Sequence, residues 1–306
     1  GIPQGEFDTV VLNSIVQYFP SVEYLLEVIA GAIAAIGNQG TLFIGDVRSL
    51  PLLEPYHAAV QLFQATEDKT IEQWQQQVHS SAAIEEELVI DPGFFIALQN
   101  RFREIGWIEI QPKRGSAENE LTQFRYDVTL HIGTQVRETT VPWLNWQLDN
   151  LSLTQIQHQL QQQPQLLGIR RVPNQRVQQP PSIYHWLENP PDVETVGQLR
   201  QLLAQQPKVG VSPEEFYQLG QQLGYDVYPS WWESSQDGCY DVVFCRHHAN
   251  TASAIAFWDS ATIATKSWTD YTNNPLQGKL VQKLVPLVRS YVQQKLPDYM
   301  VPSAFV

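Results

Sequence analysis

Hydrophobic positions in the first third of the chain switch twice between the period of a strand and the period of a helix. Phe7 to Asn13 (FDTVVLN) is a short β-branched apolar run and predicts a strand buried on both faces, as in a parallel sheet. Leu25, Leu26, Ile29, Ile33 and Ile36 then recur at helical spacing, which predicts a helix over 22–36 with Ser21 at its N-cap and Gly37 as its stop. Thr41 to Asp46 (TLFIGD) reads as a second buried strand, completing a βαβ unit. Helical spacing returns over 53–65, near 70–84 and over 92–105, the last opened by Asp91-Pro92 and stopped by Gly106. Trp107 to Gln111 and Phe124 to Ile132 alternate strongly and predict a long hairpin across the polar stretch 112–123.

Beyond Gly133 the periodicity fades as far as Leu148. A Gln-rich helix follows over 155–165, with Leu151, Ile156 and Leu160 as its apolar stripe, then a short strand at Ile169 to Val172. Pro180-Pro181 and Pro190-Pro191 read as exposed connections. Ser212-Pro213-Glu214-Glu215 has the chemistry of a helix start, with a cap, a proline at the first position and acids facing the dipole, and Gly224 closes that helix. Strands are predicted at Tyr225 to Tyr228 and Tyr240 to Cys245. Lys279 to Gln294 is an amphipathic helix ended by Leu296-Pro297. There is no internal repeat.

Composition narrows the classes of function. The 306 residues, 43% hydrophobic and 17% charged, carry enough apolar material for two cores, which excludes a disordered or collagen-like chain. A formal net charge of −13 without a sizeable basic patch argues against nucleic acid and anionic membrane as partners. The longest apolar run, 22–36, contains Glu23 and Glu27 and falls short of the roughly 20 residues a spanning helix needs. Two cysteines and no basic-then-apolar leader leave the cytoplasm as the expected location. The sole methionine is Met300, so the chain is expected to be processed or an excerpt of a longer one.

Three groups of segments resemble one family. Val11 to Pro20 (VLNSIVQYFP) resembles the stretch after the fourth sheet strand of methyltransferase domains inserted into nonribosomal peptide synthetase modules. Leu42 to Pro51 (LFIGDVRSLP), Glu87 to Phe95 (ELVIDPGFF) and Leu121 to His131 (LTQFRYDVTLH) resemble the next strand, lid and final hairpin of those domains. Lys295 to Val306 (KLPDYMVPSAFV) resembles the ninth core motif of an adenylation domain. The resemblance covers nearly the whole chain and is weakest over 155–207.

It implies an α/β fold: the C-terminal part of a class I, Rossmann-like, S-adenosylmethionine-dependent methyltransferase over 1–135, an α+β extension over 136–275, and a piece of the adenylation small subdomain over 276–306. It further implies N-methylation of the α-amine of an aminoacyl thioester. The cofactors would be S-adenosylmethionine, phosphopantetheine on a carrier domain and ATP for the host adenylation domain, with carrier and adenylation domains as partners in cis. The other reading is a non-catalytic insert that holds the adenylation subdomain and docks the carrier. The Gly-rich turn and strand-end acid that hold the cofactor in this family are expected upstream of Gly1. The chain alone is therefore expected not to bind S-adenosylmethionine usefully, and micromolar binding by calorimetry would overturn that.

Candidate chemistry gathers at strand ends, where α/β sheets form their sites. Asn13 can accept from an amine or contact the cofactor, with Ser14, or can simply make a turn. Gln17 and Tyr18 follow at a helical-turn offset and can line the same pocket. Asp46 can take a proton or orient the amine. Arg48 can pair with it, meet the anionic phosphopantetheine arm, or be a solvated loop cation. His57 has a side chain suited to general base work, although a lone helical histidine is more often core or surface. Glu86 and Glu87 are either solvated or brought inward by a lid, and Asp91 is most simply a cap. Tyr126 and Asp127 point to opposite faces of one strand, so at most one meets a ligand. Cys239, Cys245, His247 and His248 match no common zinc spacing, so no metal is expected. Trp143, Trp146, Trp186, Trp231 and Trp232 form either a docking surface or, more commonly, core.

Overall fold

The computed structural model describes residues 3–133, 140–177, 179–207, 209–233, 236–247, 266–297 and 300–302. It is an α/β protein with two mixed four-stranded sheets.

The first sheet begins with β1 (Thr9–Asn13), α1 (Val22–Ile36) and β2 (Gly40–Arg48), a parallel pair in register from Thr9 opposite Thr41 to Asn13 opposite Gly45. Helix α1 forms where expected: the Ser21 hydroxyl accepts from the Tyr24 N–H, and the residues at helical spacing are buried. Three helices follow, α2 (Leu53–Gln64), α3 (Ile71–Ala83) and α4 (Gly93–Arg101). Next come β3 (Ile105–Pro112), the short α5 (Glu120–Phe124) and β4 (Arg125–Ile132). The order in the sheet is β1-β2-β4-β3, with β4 antiparallel to both neighbours. The last strand in sequence is thus inserted between two that run parallel to each other.

Three expectations are corrected. Strand β1 is an edge strand rather than a doubly buried one: among the described residues only β2 pairs with it, and only the face of Val10 and Leu12 packs on the core, which leaves Val11 58% exposed. Strand β2 does not end at Asp46; it bulges between Ile44 and Val47 and continues to Arg48. Helix α4 stops at Arg101, four residues before the predicted end, and the strand starts at Ile105, because Ile105, Ile108 and Ile110 pair with β4 and fill the core.

The second sheet comprises β5 (Trp143–Asn145), β6 (Leu166–Val172), β7 (Tyr225–Ser230) and β8 (Tyr240–Arg246), in the order β5-β6-β8-β7. Helices α6 (Leu153–Gln161) and α9 (Pro213–Leu223) pack against it, and Gly224 ends α9 in the left-handed conformation its φ of +78° requires. The Trp231 N–H donates to the Ile110 carbonyl, joining the two sheets at their edges, and one apolar core runs through both.

A second, smaller core is built from four helices: α2, α3, α7 (Gln179–Glu188) and α8 (Val196–Gln205), around Trp74, Leu62, Val78, Ile183, Leu187 and Leu199. Pro180-Pro181, expected in an exposed connection, lies in the first turn of α7, where missing N–H groups cost nothing. The Arg200 guanidinium donates to the carbonyls of Leu62, Phe63 and Ala65, tying α8 to the end of α2. Residues 266–274 return to the first sheet, with Tyr271 buried against Phe94 and its carbonyl accepting from the Asp91 N–H at 2.8 Å. The final helix, α10 (Pro275–Lys295), carries an exposed stripe of Leu276, Leu280, Leu284, Leu287 and Tyr291.

Candidate active site

Parallel pairing places the end of β1 beside the bulge in β2, and each turns through a left-handed residue, Ser14 at φ +57° and Asp46 at φ +62°. Gly45 makes this approach possible: a Cβ there would lie 2.0 Å from Asn13 Oδ1. The Asn13 amide donates to Ser14 Oγ at 3.0 Å, and the Ser14 hydroxyl donates in turn to Asp46 Oδ2. Lys113, at the exit of β3, puts its ammonium 2.6 Å from Asp46 Oδ1 and 3.0 Å from Asp127 Oδ1. The same Asp127 oxygen accepts from the Asp46 N–H at 3.0 Å. Burial pushes the Asp46 carboxyl up, but the bonds from Lys113 and Ser14 outweigh it and hold it below the ordinary range. Burial likewise opposes the Lys113 charge, and its two carboxylates raise its pKa regardless.

Gln17 lies in the 3₁₀ turn after β1. Its side chain is buried, its amide donates to the Ser14 carbonyl at 3.1 Å, and its Oε1 finds no partner among the described residues. Tyr18 is 71% exposed, so the turn that buries Gln17 sends the tyrosine to the surface and not into a shared pocket.

A second cluster lies further along β2. Arg48 is buried, 3.0 Å from both Glu85 Oε1 and Glu87 Oε2, with its guanidinium over the Tyr56 ring at 4.9 Å. It is neither a solvated cation nor the partner of Asp46, since Lys113 takes that place. His57 Nε2 meets Glu85 Oε2 at 3.1 Å, which engages the histidine in this cluster. Burial raises the Glu85 carboxyl, yet the bonds to His57 and Arg48 bring it down to about 2. Asn273 pins the same segment: its amide donates to the Glu87 carbonyl at 2.8 Å and its oxygen accepts from the Val89 N–H at 2.9 Å. A cavity of about 380 Å³ opens where β2 runs into α2, walled by Leu50, Pro51, Leu53, Ala82 and Ala83, with Glu54, His79 and Gln236 also lining it.

Two further expected contacts do not form. Glu86 points to solvent while Glu85 and Glu87 turn inward. Tyr126 is fully buried and its hydroxyl donates to the Ile90 carbonyl at 2.8 Å, making it a core residue; Asp127 is the member of that pair facing the strand ends. The residues missed from sequence are Glu85, Asn273 and Lys113. Lys113 lies in a polar connection with no periodicity, and the sole signal toward Asp127 was its alternation with Tyr126. Asp91, expected as the cap of α4 with Pro92 as its first residue, lies one place before the cap Pro92, and its Oδ1 accepts from the Gly93 N–H at 2.7 Å.

Among the described residues no group of three or more His, Cys, Asp or Glu side chains is placed to hold a metal; His248 lies outside them. Cys245 is buried, and burial and then Asp237 push the Cys239 thiol up to about 12, which makes it a poor nucleophile. Trp231 is fully buried and Trp143, Trp146 and Trp232 are half-buried against the core, so these tryptophans are packing residues. No helix among the described residues is long and apolar enough to cross a membrane.

No model of a known protein family matches the chain. Curated proteins similar to it include chondramide synthase cmdD of Chondromyces crocatus, 38% identical over all of this chain and 8% of that protein. Nonribosomal peptide synthetase agiA of Aspergillus flavus is 28% identical over 96% of this chain and 4% of its own length. Peramine synthetase A of Epichloe festucae is 30% identical over 96% of this chain and 11% of its own. Several of the similar proteins, agiA among them, are named nonribosomal peptide synthetases, and the chain spans a small fraction of each relative.

Proposed function

We propose that this chain is a segment of a nonribosomal peptide synthetase that carries the C-terminal half of a class I methyltransferase fold. In the whole protein that domain methylates the α-amine of an aminoacyl thioester held on a carrier domain. The observation that carries the reading is the first sheet: two parallel strands with a fixed carboxylate where the end of β1 meets the bulge in β2, continued by a final strand inserted antiparallel between β2 and β3. The open edge of β1 is where the further parallel strands of such a fold pair.

S-adenosylmethionine, when bound, supplies an electrophilic methyl group. The residues at the end of β1 fit its ammonium end, because they offer the unpaired buried Gln17 Oε1 and the Asn13 carboxamide. Methyl transfer to a free amine is an in-line displacement in which alignment contributes most. Asp46 is fixed from three directions and kept ionised, so it accepts a hydrogen bond from the amine and orients its lone pair; a carboxylate below its ordinary range is too weak a base to do more. The cavity beside α2, lined by Leu50, Pro51, Leu53, Ala82 and Ala83 together with Glu54, His79 and Gln236, has the size to take an amino-acid side chain. Phosphopantetheine on the carrier and ATP at the adenylation domain belong to the same reading.

A second reading, a non-catalytic scaffold, draws support from the closure of the Asp46–Lys113–Asp127 cluster on itself. Labelled methyl transfer in the whole synthetase separates the two. Asp46→Asn and Asn13→Ala are expected to lower the rate, the former by roughly 100-fold through lost alignment; unchanged methylation in both variants removes the two residues from the site, and absence of methyl transfer by the unaltered synthetase leaves the scaffold.

A further inference from the structure

The geometry points to Lys113 and Asp127 as the positioning residues of the site: together they set the aim and charge state of Asp46 from the β3–β4 side of the sheet. This inference rests on the methyl-transfer reading of the strand ends.

Asp46 sits in a bulge at φ +62°, a conformation a non-glycine residue keeps only when its surroundings over-determine it. Two groups do so from outside β2. Asp127 Oδ1 holds the backbone, accepting from the Asp46 N–H at 3.0 Å, and holds the Lys113 ammonium at the same distance. Lys113 in turn holds the side chain, 2.6 Å from Asp46 Oδ1. One ammonium therefore links the carboxylate that meets the amine to the carboxylate that fixes its peptide. The remaining groups around Asp46 are the Ser14 hydroxyl from β1 and Arg125 of β4, the latter already paired with Glu120 at 2.7 Å. Lys113 is 20% exposed and its two acidic partners 13% and 23%, so the cluster is shielded enough for these charges to be felt.

The two residues pull Asp46 in opposite directions. Losing the Lys113 charge destabilises the Asp46 carboxylate, so the Asp46 carboxyl titrates at higher pH. Losing the Asp127 charge leaves Lys113 undivided on Asp46, so the Asp46 carboxyl titrates at lower pH. A role confined to folding lowers the melting temperature in both variants without opposite shifts.

The experiment is methyl transfer by the whole synthetase bearing Lys113→Met, Lys113→Arg or Asp127→Asn, together with ¹³C NMR titration of the Asp46 carboxyl in this chain and in each variant of it. Lys113→Met is expected to lower kcat about 10- to 100-fold with little change in the KM for S-adenosylmethionine, and Lys113→Arg to restore most of it. An unmoved Asp46 titration in both variants, or shifts in the same direction, overturns the inference. If Lys113→Met does not fold, Asp127→Asn still tests it, because it keeps an oxygen for the Asp46 N–H and predicts a shift of definite sign. Asp46→Asn separates the two claims: full activity in that variant refutes the reading of the site. Lost activity there with wild-type behaviour in the Lys113 and Asp127 variants refutes only the positioning role.

Discussion

Arg48 shows what a buried charge requires of its neighbours. Its guanidinium is shared by Glu85 and Glu87 and covered by Tyr56, so removing one carboxylate leaves a buried cation under-compensated. Glu85→Gln is expected to cost about 3 kcal/mol in urea unfolding, the lower end for a broken buried pair. Its pH dependence has a definite sign. Glu85 is held at about 2 against an ordinary value of 4.5, so its contribution is complete above pH 4.5 and is lost as pH falls toward 2. In Glu85→Gln the loss of stability over that window should be shallower than in the parent chain. Gly45→Ala tests the strand ends: its Cβ must displace Asn13 Oδ1, so the variant should fold with the Asn13 side chain swung away, visible as a shift of its amide NMR signals. The residue types needed for this chemistry were legible in the sequence at Asn13, Ser14, Gln17 and Asp46. Their partners were not, because Lys113 and Asp127 are distant in sequence and meet Asp46 only through the pairing of β4 with β2 and β3.

At the scale of elements, local signals held where a cap and a period agree. Helix α9 starts at the Ser212-Pro213-Glu214-Glu215 signature, with the Glu215 carboxylate accepting from the Ser212 N–H at 2.8 Å. Its packing depends on Gly220, where a Cβ would lie 2.2 Å from Val227 Cγ2 and 3.0 Å from the Tyr225 carbonyl. Gly220→Ala should push α9 away from β7 at a cost of roughly 1–3 kcal/mol, measurable as a lower thermal midpoint. Elements without a local signal escaped: β5 is three residues long and exists because Trp143 to Asn145 pair with β6. Helices α7 and α8 lie in polar, Gln- and Pro-rich sequence and gain their stability from burial against α2 and α3.

The whole molecule divides its stability between two cores of unequal size. The four-helix core is assembled from two distant stretches of chain, 53–83 and 179–205, joined by the Arg200 bonds and a bridge between Thr70 and Thr195. Trp74 is its largest fully buried side chain. Trp74→Ala should cost about 3–5 kcal/mol and raise hydrogen exchange in α2, α3, α7 and α8 while β2 and β4 stay protected. Equal loss of protection in both sheets would show that the two cores unfold as one. The apolar stripe of α10 makes a further test: Leu280→Glu with Leu287→Glu should leave the thermal midpoint in place, because both side chains are already exposed.

By itself the sequence determined the βαβ start, the alternating pair that ends the first sheet, the capped helices and the acid and amide residues at strand ends. Each of these depends on neighbours within a few residues, whose spacing and capping chemistry are written locally. Tertiary structure decided the rest. It made β1 an edge and inserted β4 beside β2. It turned Glu85 and Glu87 inward but Glu86 outward, buried Tyr126, and brought Lys113 between Asp46 and Asp127. Those outcomes depend on which strands pair and in what register, and a one-residue change in register reverses the face every side chain occupies.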